Sequence, residues 1–393
     1  MTDLRAWWWH RQGLDGSLAG ADPTTVLDRT GWARSVGGAN PYLTLFARAG
    51  LFRSDVDGAV AGLAVHELPS ARGCAYVLPA ADFGLGLQVG RGAPEAEVAT
   101  VAKLGVPRAE IDALCDAVLD AVAGGPLDPA ALKAKLGDRV RNLGEAGKKK
   151  GVTTTLPVAL GLLQASGDLR RVPVAGRLDQ QRFSYVRWTP PESGLTGEQA
   201  RVELARRYLR WTGGASLAHL RWFTGFSARD ATAAVAELNP VDLGGGILAL
   251  PEDAEAFAAF VPPREPDHAL LAILDGLHLL RRDLPSLLDA TGRDTLVPGD
   301  KRTLAQHTDP PDNMIVDRGR LVGLWQYDVD GQRIAWWTFD PRAAKDKALL
   351  STVEQTEAFI SEQLGDARSV SLDSPKSRAP RIAALDVARR EAM

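Results

Sequence analysis

Three predicted helices followed by two predicted strands, between residues 107 and 188, constrain the fold more than any other feature of the sequence. Over residues 111–122 apolar side chains recur every three or four positions, the period of a helix with one buried face. The predicted elements are helices over residues 111–122, 130–136 and 154–165, then strands over residues 169–174 and 183–188. This order is typical of a winged helix, in which the third helix enters the DNA major groove and the hairpin lies on the backbone.

The same order of elements is predicted twice more. Downstream it comprises helices over residues 198–211, 216–223 and 228–238 and a hairpin turned by Gly244-Gly245-Gly246. Upstream it comprises helices over residues 4–12, 24–28 and 41–48 and a hairpin of residues 65–68 and 74–78. The copies share little sequence, so the repeat is one of pattern.

From residue 268 onward the predicted elements change. Residues 270–277 form a helix or a strand–helix junction, and the later elements are strands over residues 314–316, 321–327 and 333–338, a helix over residues 345–364 and a basic tail. Tight-turn sequences between the three strands predict an antiparallel meander. The tail, from residue 368, forms a short helix or an ordered arm.

We therefore expect a mostly α fold with β-hairpins, of the α+β class, in four parts. Three winged-helix units would comprise residues 1–106, 107–192 and 193–266, and a C-terminal α+β part would comprise residues 267–393.

Positive charge is concentrated in one part of the chain. Residues 133–187 contain twelve Lys or Arg and four Asp or Glu, a net charge of +8, whereas the whole chain carries −3 and the remainder therefore −11. Such asymmetry is typical of a protein with one face toward a polyanion. A solvated basic face is the alternative, and charge alone does not separate the two.

Composition limits the other classes of function. No apolar run approaches the ~18 residues of a membrane span, and the first nine residues carry an acid and three tryptophans rather than a secretory signal. Cys74 and Cys115 lack the spacing of a zinc site, and the six histidines are scattered. We expect a cytoplasmic, nucleoid-associated monomer with no membrane partner, no metal and no cofactor.

The residues predicted to contact DNA lie mainly around the third helix of residues 107–192. Three lysines precede this helix, where hydroxyl groups and free backbone N–H groups also bind phosphate. The helix itself contains neither the Arg nor the Asn that usually reads bases, so we expect double-stranded DNA to be bound without sequence preference. The complete set is Arg72, Lys148, Lys149, Lys150, Thr153, Thr154, Arg170, Arg171, Arg177 and Arg182.

Candidates for chemistry are few. Gln12 and Asn40 lie near predicted helix ends. Each therefore either lines a reaction site or caps the end of its helix. His66-Glu67 lies on a predicted hairpin, either as an acid–base pair or, as we expect, on an exposed strand edge. Trp7-Trp8-Trp9 covers every face of a helix, so at least one ring is expected to be partly exposed, for packing or for base stacking.

Four sets of short segments carry a family resemblance over nearly the whole chain. They are Arg11-Gln12-Gly13-Leu14; Arg72-Gly73 followed by residues 75–79; residues 204–209 with residues 222–225; and residues 316–320 with residues 322–325. Together they resemble the AlkZ/YcaQ-like DNA glycosylases, a group of proteins with winged-helix DNA-binding domains. The resemblance implies three tandem winged helices and a small β-barrel-like C-terminal part that form a cradle for DNA.

The resemblance also implies a reaction. Members of this family remove bulky or alkylated purines, some of them in interstrand crosslinks, with a Gln-x-Gln or Gln-x-Asp pair in the N-terminal unit. Breaking an N-glycosidic bond builds positive charge on the sugar, so polar side chains must position water and stabilise the cation. Here Gly37 and Ala39 align with the pair, and a shift of one residue would bring Asn40 into the second position.

Two functional hypotheses follow. A DNA-repair glycosylase with a rearranged site accounts for the resemblance over the whole chain. A non-catalytic DNA-binding protein, acting in lesion recognition or transcription regulation, accounts better for the missing pair.

Overall fold

The computed structural model describes residues 3–180, 182–340 and 342–392, which form two compact units. The first unit contains residues 1–65 and 201–393, and the second contains residues 66–200. Within the described ranges, no helix combines the length and apolar character that crossing a membrane requires. The finer division into four parts, three of them winged helices, stays a prediction.

The N-terminal stretch of the first unit is helical. It contains α1 (Leu4–Arg11), α2 (Pro23–Thr30), β1 (Ala33–Arg34), α3 (Asn40–Ala49) and α4 (Arg53–Ala61). The side chains of Asp3 and Asp22 accept from the free N–H groups of the first turns of α1 and α2. The sequence analysis missed α4, since this helix buries only Val56 and Val60 and its apolar pattern is correspondingly weak.

The second unit contains the three predicted helices and their hairpin. Its elements are β2 (Val65–Pro69), β3 (Ala75–Pro79), α5 (Phe83–Gly90), α6 (Glu95–Ala102), α7 (Arg108–Val122), α8 (Pro129–Leu136), α9 (Gly144–Lys148), α10 (Leu156–Ser166), β4 (Leu169–Pro173) and β5 (Phe183–Arg187). Val118, Leu132 and Leu160 from α7, α8 and α10 pack with Leu169 and Tyr185 of the β4–β5 hairpin. Each fully buried apolar side chain contributes about 1.5–3 kcal/mol, so this core holds the three helices against the hairpin.

A short strand contact repeats in both units. Leu127, between α7 and α8, pairs antiparallel with Tyr185 of β5. In the first unit the next elements are α11 (Gly197–Thr212), α12 (Leu217–Thr224), α13 (Ala228–Ala236), β6 (Val241–Asp242), β7 (Leu248–Ala249) and α14 (Pro251–Ala259). There Ala215, between α11 and α12, pairs antiparallel with Leu248 of β7. Both triplets of helices therefore end in a hairpin that pairs back to the linker after the first helix.

The C-terminal part of the first unit is built on an open antiparallel sheet. Its elements are β8 (His268–Leu271), α15 (Gly276–Leu279), α16 (Ala290–Asp294), β9 (Asn313–Asp317), β10 (Arg320–Asp328), β11 (Arg333–Thr338), α17 (Lys347–Phe359) and α18 (Pro375–Ala392). The order β11-β10-β9-β8 confirms the predicted meander. The expected barrel-like closure is wrong among the described residues, because α17 packs on β8 and α18 on β10 and β11. Helices cover the sheet, so burial does not require its edges to meet.

Candidate functional site

The loop of residues 36–39 lies where the family resemblance places a catalytic pair, and its shape depends on glycine. Gly37 has a φ of +70°, in the left-handed region that residues with a side chain rarely adopt. A Cβ atom at Gly38 would overlap the carbonyl oxygens of residues 368–369. Ala39 is 1% exposed, and residues 36–39 bring no polar side chain. The loop conformation is therefore unsuited to a pair of glutamine side chains.

Gln12, at the end of α1, is completely buried. Its Nε2 donates to the carbonyl oxygens of Thr30 and Trp211, both at 2.8 Å. Its Oε1 accepts from Nη2 of Arg48 at 2.9 Å. In this geometry the amide joins α1 to α2, α3 and α11, and a buried amide satisfied on both ends stabilises their packing.

Asn40, the first residue of α3, is 2% exposed. Its Nδ2 donates to the carbonyl of Arg34 at 2.7 Å, and its Oδ1 accepts from Oγ1 of Thr44 at 3.5 Å. Through these two bonds the side chain holds the preceding loop against α3.

The structure brings Gln12 and Asn40 into one buried network that the sequence analysis did not identify. Arg48 and Asp275 lie at its centre, with Nη1 to Oδ2 at 2.7 Å and Nη2 to Oδ1 at 2.9 Å. Thr44 completes it, since its hydroxyl lies 3.2 Å from Oδ2 of Asp275. No local motif signals this pair, because its members are 227 positions apart in the chain.

The three consecutive lysines of the second unit are exposed; Lys148 is the last residue of the short helix α9, and Lys149 and Lys150 follow it. Nζ of Lys148 lies 2.6 Å from Oε1 of Glu145, a surface pair of little energetic weight. Lys149 and Lys150 form no ion pair with any residue that the structure describes. This loop therefore offers two uncompensated charges.

Two of the four hairpin arginines are neutralised by carboxylates. Arg171 pairs with Glu67, and its guanidinium lies over the Phe183 ring, 4.6 Å from the centroid. Arg177 makes two bonds to Asp179, at 2.9 and 2.6 Å. These side chains stabilise the unit and are poorly placed to leave their partners for phosphate.

The other two hairpin arginines have no ion pair with the described residues. Arg170 is half-buried on β4 and faces away from Arg171, because neighbouring strand residues point to opposite sides. Arg182 is exposed just before β5. With Lys149 and Lys150 they make up what we call the free basic group, four positive charges without partners among the described residues.

The remaining predicted DNA contacts lie in turns of the second unit. Thr153 is exposed and its carbonyl accepts from the N–H of Leu143 at 3.0 Å, while Thr154 is half-buried. Arg72 lies in the turn between β2 and β3 with a φ of +59°, and Nη2 lies 3.7 Å from Sγ of Cys74. The described residues contain no group of three His, Cys, Asp or Glu able to hold a metal ion.

The expectation of an exposed tryptophan ring is wrong. Trp7, Trp8 and Trp9 are 2%, 4% and 0% exposed and belong to the core of the first unit. Nε1 of Trp7 donates to the carbonyl of Gly213 at 2.7 Å, and the Arg281 guanidinium lies over Trp8, 4.0 Å from the ring centroid. The three rings lie inside although α1 also carries polar side chains, because large aromatic side chains gain much from burial.

The expectation that His66 and Glu67 lie on an exposed edge is also wrong. His66 is 1% exposed and Glu67 6% exposed. Phe83 and Trp188 cover the imidazole, with ring centroids 6.2 and 5.6 Å away, and neither ring nitrogen has a hydrogen-bond partner among the described residues. Burial, reinforced by nearby arginines, lowers the pKa of His66 to about 3, so the ring is neutral at pH 7.

Comparison with known proteins places this architecture in a family. The family described as DNA glycosylase AlkZ-like matches residues 25–366, so the chain belongs to that family. The fold is similar to that of the Streptomyces sahachiroi DNA glycosylase AlkZ, with a TM-score of 0.67 and 19% identity over 94% of this chain and 97% of that one. A search of curated protein sequences finds no match.

Proposed function

We propose that this chain binds double-stranded DNA without sequence preference, and that it is a member of its family in which base excision is weak or lost. The observation that carries the proposal is the glycine-dependent loop of residues 36–39, which lacks polar side chains where the resemblance implies a catalytic pair. The protein would act as a monomer on DNA of the nucleoid, without metal or cofactor.

The second unit supports DNA binding. Helices α7, α8 and α10 followed by the β4–β5 hairpin, with Leu127 paired to Tyr185, are the element order of a winged helix. The free basic group flanks α10 on both sides in sequence, and such charges bind the phosphate backbone whatever the base sequence. A similar order over α11–α13 and β6–β7 supports a second winged helix in the first unit.

The proposed loss of base excision rests on the catalytic groups that a glycosylase requires. A general acid–base group typically supplies ~10²–10⁴-fold in rate, so a site without the pair would retain little turnover. Gln12 and Asn40 are the nearest polar side chains that the sequence analysis named, and residual excision, where measurable, would depend on one of them. The competing function is a non-catalytic DNA-binding protein in lesion recognition or transcription regulation, which the same loop favours.

The test is duplex binding and base release measured side by side. Fluorescent duplexes carrying no lesion, an alkylated purine or an abasic site are titrated with the protein, and base release is followed with excess substrate. We expect binding to all three and little or no release. Robust multiple turnover that persists in a Gln12→Ala, Asn40→Ala double variant would overturn the assignment, as would failure to bind any duplex.

A further inference from the structure

The C-terminal tail of this chain lies directly on the loop of residues 36–39. The N–H of Ala39 donates to the carbonyl of Arg368 at 2.9 Å, and the N–H of Ser371 donates to the carbonyl of Val36 at 3.1 Å. These two bonds run in opposite directions, so the two segments contact each other through their backbones in antiparallel order, without forming a β-strand. We call residues 368–373 the strap.

The contact is close because Gly38 carries no side chain. A Cβ atom there would overlap the carbonyl oxygens of Arg368 and Ser369. Gly38 has no positive φ, so an alanine is compatible with its backbone and would disturb only the packing against the strap. The loop and the strap are therefore shaped to one another.

A single buried arginine joins the two ends of the strap. Arg378, on α18, is 2% exposed. Its Nη2 donates to Oδ1 of Asp366 at 2.7 Å, and its Nε lies 3.7 Å from Oδ1 of Asp373. Asp366 precedes the strap and Asp373 is its last residue, so Arg378 connects the two ends of the strap. Within the strap, the N–H of Ser369 donates to Oδ2 of Asp373 at 3.0 Å.

The strap leads into the last helix of the chain. The sequence analysis predicted only an arm or a short helix here, whereas the structure gives the 18-residue helix α18. This helix is fastened to the sheet, since Arg381 contacts Asp312 and Arg333 pairs with Asp386.

From these contacts we infer that the strap covers loop 36–39, occupies hydrogen-bonding groups of its backbone, and excludes a DNA base from the loop. The Ala39 N–H and the Val36 carbonyl are bonded to this chain's own tail, and the tail occupies the space beside them where the proposed function would place an extruded base. This inference rests on the proposed function for its DNA partner. It predicts that the protein holds a duplex with every base stacked.

The first experiment measures, in the absence of DNA, how strongly the strap protects the loop. Hydrogen exchange of the Ala39 amide should be at least ~100-fold slower than in an unstructured chain, because Ala39 is 1% exposed and exchange must break the bond from its N–H to the Arg368 carbonyl. Gly38→Ala and Arg378→Met, which disturb different contacts of the strap, should each speed exchange at Ala39 by ~10-fold or more. Gly58→Ala is the matched control, since Gly58 lies in α4 with nothing near its Cβ position.

The second experiment measures access to a base. A duplex containing 2-aminopurine fluoresces more strongly when that base leaves the stack, so binding of the natural chain should leave the fluorescence unchanged. Binding of the Gly38→Ala or Arg378→Met variant should raise it, and binding of the Gly58→Ala variant should not.

Three results contradict the inference. They are fast exchange at Ala39 in the natural chain, unstacking of the base by the natural chain while Ala39 stays protected, and unchanged exchange in both variants. Absence of duplex binding by a chain with a protected Ala39 would instead remove the proposed function and leave the cover intact.

Discussion

Arg48 and Asp275 form a two-point ion pair in the core of the first unit, with side chains 0% and 1% exposed. Asp275 also accepts from the N–H of Leu277 at 2.9 Å, so one carboxylate fixes both the arginine and the first turn of α15. The pair joins α3 to the turn that follows β8. It also orients Gln12, whose oxygen accepts from the same guanidinium.

Removing one member of this pair should be far more costly than removing a surface arginine. Arg48→Met leaves the Asp275 carboxylate buried without its counter-charge, which typically costs ~3–5 kcal/mol. Urea denaturation of the first unit is the measurement. Arg302→Met is the control, since Arg302 pairs with Asp300 at the surface, and it should denature as the natural chain does. Equal effects of the two substitutions would show that the buried pair contributes no special stability.

Gln12→Ala should act on stability. The substitution leaves the Thr30 and Trp211 carbonyls without their donor, and an unsatisfied buried polar group costs about 1–3 kcal/mol. We expect an earlier unfolding transition with unchanged duplex affinity below it. A variant as stable as the natural chain that had lost base release would assign Gln12 to the chemistry instead.

The lysine loop should control the salt dependence of binding. Each phosphate neutralised contributes about 0.9 to the slope of log K against log salt, so Lys149→Ala with Lys150→Ala should reduce the slope by up to about two such increments. Lys148→Ala should change it less, because Glu145 already compensates this charge. The control removes two exposed lysines of the first unit, Lys345 and Lys347. A slope unaffected by the Lys149–Lys150 change would mean that the loop is solvated.

Selection from random duplexes should return no sharp motif. Helix α10 contains Leu, Pro, Val, Ala, Gly, Ser and one Gln, none of which is the Arg or Asn that commonly reads a base pair. Discrimination should stay below the ~1–3 kcal/mol per base pair of a specific regulator. Enrichment of one palindrome would favour the transcription-regulation alternative.

Acid should destabilise the second unit through His66. The folded state holds this imidazole neutral with a pKa of about 3, against 6.5 for an ordinary histidine. Below pH 6.5 the unfolded chain therefore binds the proton first, and stability falls with decreasing pH by up to about 1.4 kcal/mol per unit until the pH nears the folded pKa. His66→Phe, which keeps an aromatic ring between Phe83 and Trp188, should flatten this dependence between pH 6 and 4. An equal acid sensitivity in the variant would assign the effect to other groups.

The sequence by itself determined the elements whose cause is local. Residues 107–188 could be predicted as three helices and a hairpin, because the period of apolar side chains, the Asp128 cap and the glycine turns all act within a few residues. The late meander could be predicted for the same reason, from two tight-turn sequences. That residues 36–39 carry no polar side chain is also visible in the sequence alone.

Only the tertiary structure decided which of the candidate residues are already bonded to other parts of the chain. Arg171 and Arg182 are both hairpin arginines in the sequence, yet Glu67, about a hundred positions away, neutralises only the first. Gln12 is bonded to Arg48, which pairs with Asp275 in a distant part of the chain, and residues 36–39 are contacted by a tail more than three hundred positions later. Such contacts depend on which surfaces pack together when the helices and the sheet assemble. They therefore cannot be predicted from the pattern of neighbouring residues in the sequence.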